Sequence, residues 1–282
     1  MNTLSFTQSE HTRKELLHFI QNSLSPELWR NNACAIGELK QRTASHDLFR
    51  HPMLERLKAC QLSLEQLKSI HVNYFTAIVK IFTDALSMLI YQAAALENNA
   101  NIHKESRISA KVYARYLLSL NLMDELGFNT HNLAQSSPAK SHLIYFLDLM
   151  RQLELELDAS QQHKAEAEAH ALQEFIQQHM HSYADLLLLL ACTELQVIKF
   201  SEALRINMQA YDPAFALGYY ACHGIADSSS QHLANDDNHE DDIWALLTQC
   251  FASEHSQHYK KTQSQYLELW NNFWSKMHQM AA

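Results

Sequence analysis

The stretch HPMLERLKACQLSLEQLKSIHVNYFTAIVKIFTDALSMLIYQAAAL, residues 51–96, decides the fold class. Its apolar residues recur at three- and four-residue intervals, the period of one face of an α-helix, with no alternation of the kind a half-buried strand shows. Pro52 suits the first turn of a short helix. Ser63 followed by Gln66 is a capping box, which predicts a long helix starting at Ser63. The same intervals extend outward in both directions. Leu16, Leu17, Phe19 and Ile20 mark a first amphipathic helix, and SPELW (25–29) opens a second. ENNANIHKES (97–106) breaks the long helix, and RISAKVYARYLLSLNLMDELG (107–127) resumes helical character with Gly127 as its C′ residue. FNTHNLAQSSPAKS (128–141) is a loop by its Asn, Ser and Pro content. Helices follow from His142, through HKAEAEAHALQEFIQQHM (163–180), from Asp185 to about Met208, after Tyr211-Asp212-Pro213, and from the acidic stretch at 231–242 onward. The expectation is one all-α, single-domain helical bundle of roughly eight to ten helices over 1–282, with 1–50 an N-terminal helical extension and 51–282 the core.

Composition narrows the function. A formal charge of −9 with no basic run excludes sequence-independent nucleic-acid binding, whose electrostatic term needs clustered Lys and Arg. The five cysteines, Cys34, Cys60, Cys192, Cys222 and Cys250, form no CxxC pair and read as reduced thiols in a reducing compartment. The first residues show no charged segment followed by an apolar one, so no signal peptide is expected. The most apolar run, LLLLLACTELQVI (186–198), is interrupted by Glu194 and short for a bilayer. A soluble cytoplasmic protein without nucleic-acid or membrane partners is the expectation. With only 4 Gly, neither GxGxxG nor a P-loop is present; there is no GxSxG, and HExxH fails because residue 243 is Ile.

The eighteen histidines matter only by placement. In QHLANDDNHEDD (231–242), His232, Asp236 and His239 are spaced i, i+4 and i+7, which on a helix aligns two imidazoles and a carboxylate along one strip. One strip cannot fill a coordination sphere. Glu194 is a carboxylate inside an apolar helix, costly unless paired, protonated or bound to a cation. Glu125 ends an apolar helix, where its charge works against the macrodipole and invites a cation. His142 opens the following helix behind the capping Ser141, a position from which it can reach that end or stand exposed in the first turn. Glu125, His142, Glu194, His232, Asp236 and His239 form a mixed nitrogen and oxygen set suited to iron or manganese, with carboxylates able to bridge two adjacent ions.

At these residues the chain resembles the haem-oxygenase-like di-iron oxidases and oxygenases, whose fold is shared with thiaminase II and pyrroloquinoline-quinone synthase. HPMLERLKACQLSLEQLKSIHVNYFTAI (51–78) is similar to the family's early helix pair, and NLMDELG (121–127) with SHLIYFLDLM (141–150) to its first Glu and His segments. LACTELQVIKFSEAL (190–204) resembles the segment of the second Glu, and HLANDDNHEDDIW (232–244) carries HxxxDxxH. Two features depart from the pattern. The loop from Glu125 to His142 is long and contains His131 as a competing ligand. YYACHGIAD (219–227) places His223 and Asp227 in an HxxxD register whose third position is Ser230, so the complete triad at 232–239 is preferred. In the earlier register His223 and Asp227 would replace His232 and Asp236.

The resemblance implies two Fe(II) ions, or manganese, activating O2 for N-oxygenation, desaturation, oxidative decarboxylation or C–C cleavage of a small metabolite. Tyr74, Tyr116, Tyr145 and Tyr220 are the pocket-lining candidates it suggests. An external electron donor and a homodimeric state are compatible with it. Competing readings are a metal-free small-molecule-binding protein or cofactorless oxidase of the same fold, and a helical interaction protein whose NDDNHEDD is a solvated face. A haem-degrading enzyme would need His18 or His71 as proximal ligand, and no motif supports one.

Overall fold

The computed structural model describes residues 9–129, 132–155, 164–223 and 235–281, with side chains from residue 12 and, in the last stretch, from residue 239. It is 82% helical, and no strand occurs among the described residues. The helices in chain order are α1 (Ser9–Asn22), α2 (Pro26–Ala44), α3 (Pro52–Lys58), α4 (Leu64–Tyr74), α5 (Phe82–Gln92), α6 (Arg107–Glu125) and α7 (His142–Gln152). They continue with α8 (Ala167–His179), α9 (Tyr183–Gln209), α10 (Tyr219–Cys222), α11 (Asn235–Cys250) and α12 (Ser256–Met280).

The bundle is organised around α9. Leu186 to Cys192 are buried without a break, because α3, α5, α11 and α12 all pack on this helix. α1 and α2 pack on α6, α11 and α12, so Leu16, Ile20, Leu24, Ile36 and Leu39 join the same apolar cluster as the rest of the chain. The run Leu64–Asn98 is long and apolar enough to cross a membrane by composition, yet 61% of its most apolar window is buried in the bundle.

Local rules account for the helix ends. Ser63 accepts from the Gln66 N–H while the Gln66 side chain accepts from the Ser63 N–H, completing the expected capping box. His51 caps α3 by accepting the Met53 N–H on Nδ1, which leaves its Nε2–H for Ser275 Oγ at 3.1 Å. The helix expected to run unbroken from Ser63 differs at one place. Phe75–Val79 is a π turn closed by Lys80 N–H donating to the Phe75 carbonyl. Such a turn accommodates one extra residue and re-aims the helix beyond it. Tyr211-Asp212-Pro213 opens a single 3₁₀ turn, Pro213–Ala216, rather than a full helix.

Candidate metal centre

α6 and α7 present the first pair. Gly127 follows the end of α6 with φ +83°, and Phe128 N–H and Gly127 N–H donate back to the Met123 and Asp124 carbonyls, a Schellman closure. The loop that leaves it returns at once: Ser137 N–H donates to the Gly127 carbonyl, and Ser141 backbone passes so close that a Cβ on Gly127 would lie 2.6 Å from Ser141 N. Ser141 caps α7, so its first residue, His142, lies against Glu125. His142 Nδ1 is 2.9 Å from Glu125 Oε1, with both side chains 7% exposed.

The other walls come from α9, α10 and the π turn. Glu194 projects from the buried face of α9 and accepts from Asn121 Nδ2 at 3.4 Å. His223 directly follows α10, and its ring lies 4.6 Å from that of His142, edge to face. Glu125, His142 and His223 offer ligand atoms within 4.8 Å of one another, all three buried. With Glu194 they line one pocket, walled by Ile78, Val79, Phe82, Thr83, Leu143, Val197 and Tyr219. The π turn supplies Ile78 and Val79, which is its effect on the site.

Burial by itself lowers the His142 pKa, but the Glu125 carboxylate beside it prevails. With a contact to Cys222 adding to the effect, the imidazolium persists well above the ordinary histidine range. A proton on His142 thus balances the negative charge that Glu125 brings into an apolar cavity.

The structure brings together Glu125, His142 and Glu194 of the preferred set and His223 of the alternative one. His142 and His223, the latter expected only in the earlier register as a replacement for His232, thus both face Glu125. His239 is buried at 8% but does not line the cavity; it lies near Asp242, the carboxylate that pairs with Arg13. Asp236 is in the first turn of α11, with its side chain outside the described residues, and His131, Asp227 and His232 lie outside them altogether.

None of the four expected pocket tyrosines lines the cavity. Tyr74 donates to Gln196 Oε1, Tyr220 hydrogen-bonds His71, Tyr116 is 43% exposed in a surface groove, and Tyr145 packs on Gly218. Tyr219 lines it instead. The aromatic pair upstream of His223 was the available signal, and a two-residue pattern could not tell which tyrosine faces inward. His71 has both ring nitrogens engaged, by the Leu67 carbonyl and Tyr220, which removes it as a haem ligand in this conformation.

The chain has the fold of a TenA homolog. That protein, from Pseudomonas syringae pv. tomato, superposes with a TM-score of 0.58 over 89% of this chain and 93% of its own, at 14% sequence identity. No protein-family model and no curated protein sequence matches the chain. A likeness at this identity carries the architecture alone.

Proposed function

We propose that the protein is an O2-activating, non-haem iron oxidase or oxygenase that acts on a small metabolite presenting an apolar group. One observation carries this reading: two histidines and a carboxylate converge within 4.8 Å in a buried cavity that also holds Glu194. The donors fit the metal. Imidazole nitrogens and carboxylate oxygens suit ferrous iron, and four protein donors leave coordination positions open. Asn121, whose Nδ2 donates to Glu194, has a buried Oδ1 with no hydrogen-bond partner among the described residues.

Bound Fe(II) would supply the electron transfers that reaction with O2 demands. The chain's own residues set the conditions. Asn121 orients Glu194, and Glu125 and His142 arrive already paired, so binding a cation requires displacing the proton they share. Phe82, Val197 and Tyr219 exclude water, which strengthens every charge interaction inside. The apolar walls favour a hydrocarbon or aromatic portion of the substrate over a charged one. A second iron, as in the di-iron oxidases that the sequence resembles, would need donors beyond these residues.

The runner-up is a metal-free acid–base site, supported by the 2.9 Å contact between Glu125 and His142. Anaerobic reconstitution with Fe(II), followed by iron quantification and O2-uptake measurement, separates the two. The iron reading expects at least one ion per chain and its loss in His223→Ala. Substoichiometric iron in the wild type, with the fold intact, would leave the acid–base site standing.

A further inference from the structure

We propose that the buried His71–Tyr220 hydrogen bond is the device that positions His223 as a metal ligand. The inference rests on the metal reading above and assigns positioning residues that touch neither the cavity nor the metal. α10, the helix that leads into His223, is only Tyr219–Cys222. A helix of this length cannot hold itself, because its few internal hydrogen bonds do not offset the cost of nucleation. It also begins at Gly218, whose φ of +63° turns the chain sharply. The mount must therefore be fixed by tertiary contacts.

Two adjacent tyrosines supply them in different directions. Tyr220 points away from the cavity and is 1% exposed; its hydroxyl lies 2.7 Å from His71 Nε2. His71 is equally buried, and its Nδ1 lies 2.6 Å from the Leu67 carbonyl one turn back in α4. A carbonyl only accepts, so Nδ1 carries the proton and Nε2 presents its lone pair to the Tyr220 O–H. Each atom then has one role, and the bond fixes both the tautomer and the depth of α10. Burial pushes the His71 pKa down to about 4, so this neutral form holds at physiological pH.

Tyr219 faces the cavity with its ring 4.8 Å from Phe146 and 4.5 Å from the His223 imidazole. Phe146 lies one turn along α7 from His142 and stands 5.9 Å from the His71 ring. The elements that carry the two histidines are thus referenced to one point on α4. Freeing Tyr220 lets α10 shift as a unit, and with it the imidazole next in the chain.

The test is a Co(II) titration of the full chain, read by the visible d–d absorption, with thermal unfolding recorded in parallel. Tyr220→Phe removes one hydroxyl and nothing else. Thr43→Val is the matched control: it deletes another buried hydroxyl, the acceptor for Gln263 Nε2 at 2.7 Å, at a residue that does not line the cavity. Support of a ligand by an outer hydrogen bond is worth roughly 10- to 100-fold in metal affinity. Tyr220→Phe is expected to lose about tenfold or more in Co(II) affinity and to approach the spectrum of His223→Ala, while Thr43→Val loses stability but keeps wild-type affinity. His71→Gln, which retains an acceptor, should restore part of the affinity that His71→Leu loses, and it serves if Tyr220→Phe fails to fold. Wild-type Co(II) affinity and spectrum in folded Tyr220→Phe or His71→Leu would overturn the positioning role and leave the metal reading intact. No Co(II) binding by the wild-type chain would overturn both.

Discussion

His142 Nδ1 stands 2.9 Å from Glu125 Oε1 although the two residues are 17 apart in sequence. The contact is made by backbone geometry between them. Gly127 adopts a left-handed turn and lets Ser137 and Ser141 pass where a side chain would be. The pair is therefore a consequence of one residue lacking a Cβ.

Gly127→Ala should show this. Its Cβ would meet Ser137 O at 2.4 Å, and its φ of +83° is strained for any L side chain. We expect a loss of about 2 kcal/mol or more in urea unfolding, with weakened Fe(II) binding because Glu125 and His142 separate. Unchanged iron affinity in the folded variant would show that the pair does not depend on this turn.

The cavity donors can be sorted by iron retention. His142→Ala and His223→Ala should each lose the bound Fe(II), since each removes one of the three donors that converge within 4.8 Å. His239→Ala should keep the ion at this cluster, as His239 lies outside the cavity wall. Anaerobic iron analysis of the three variants decides it, and loss of all iron from His239→Ala would place that residue back among the ligands.

His71 predicts an acid-sensitive stability. Its folded pKa of about 4 lies below the ordinary 6.5, so between these values the unfolded chain binds a proton that the folded chain refuses. The stabilisation is complete above pH 6.5, is lost as the pH falls toward 4, and amounts to roughly 3 kcal/mol over the window. Urea unfolding between pH 7.5 and 4 should show a shallower pH dependence in His71→Gln than in the wild type. Parallel curves would sink the assignment.

Arg13 and Asp242 tie α1 to α11 by two short contacts onto one carboxylate oxygen, Nε at 2.7 Å and Nη2 at 2.6 Å. Burial raises the Asp242 pKa more than Arg13 lowers it, so desolvation dominates this pair. Arg13→Ala should cost about 3 kcal/mol by stranding the carboxylate, whereas Arg13→Met with Asp242→Leu should cost less than the single change. Chemical denaturation of the two variants measures the difference. A double variant that is the less stable of the two would contradict it.

Much of the architecture was legible along the chain because its causes are local. The capping box at Ser63, the Ser141 cap, the Gly127 turn and the apolar girdle of α9 each involve residues a few positions apart. Glu194 stood out for the same reason: a carboxylate among leucines carries its cost on its face. The π turn at Phe75–Val79 was not legible, since one extra residue in a helical turn leaves the apolar intervals nearly unchanged.

By itself, the sequence determined an all-α chain and a central helix carrying a buried carboxylate, and it offered Glu125 and His142 as candidates on either side of a capped turn. Only the tertiary structure decided which histidine joins them. The i, i+4, i+7 spacing of His232, Asp236 and His239 says that three side chains share a helix face, but not which neighbour that face meets. His223 sits beside a helix too short to show any period, and its place comes from Tyr220 reaching His71, 149 residues away. Helical spacing is set by the backbone within a few residues, whereas a ligand set is closed by contacts between elements that meet only when the core forms.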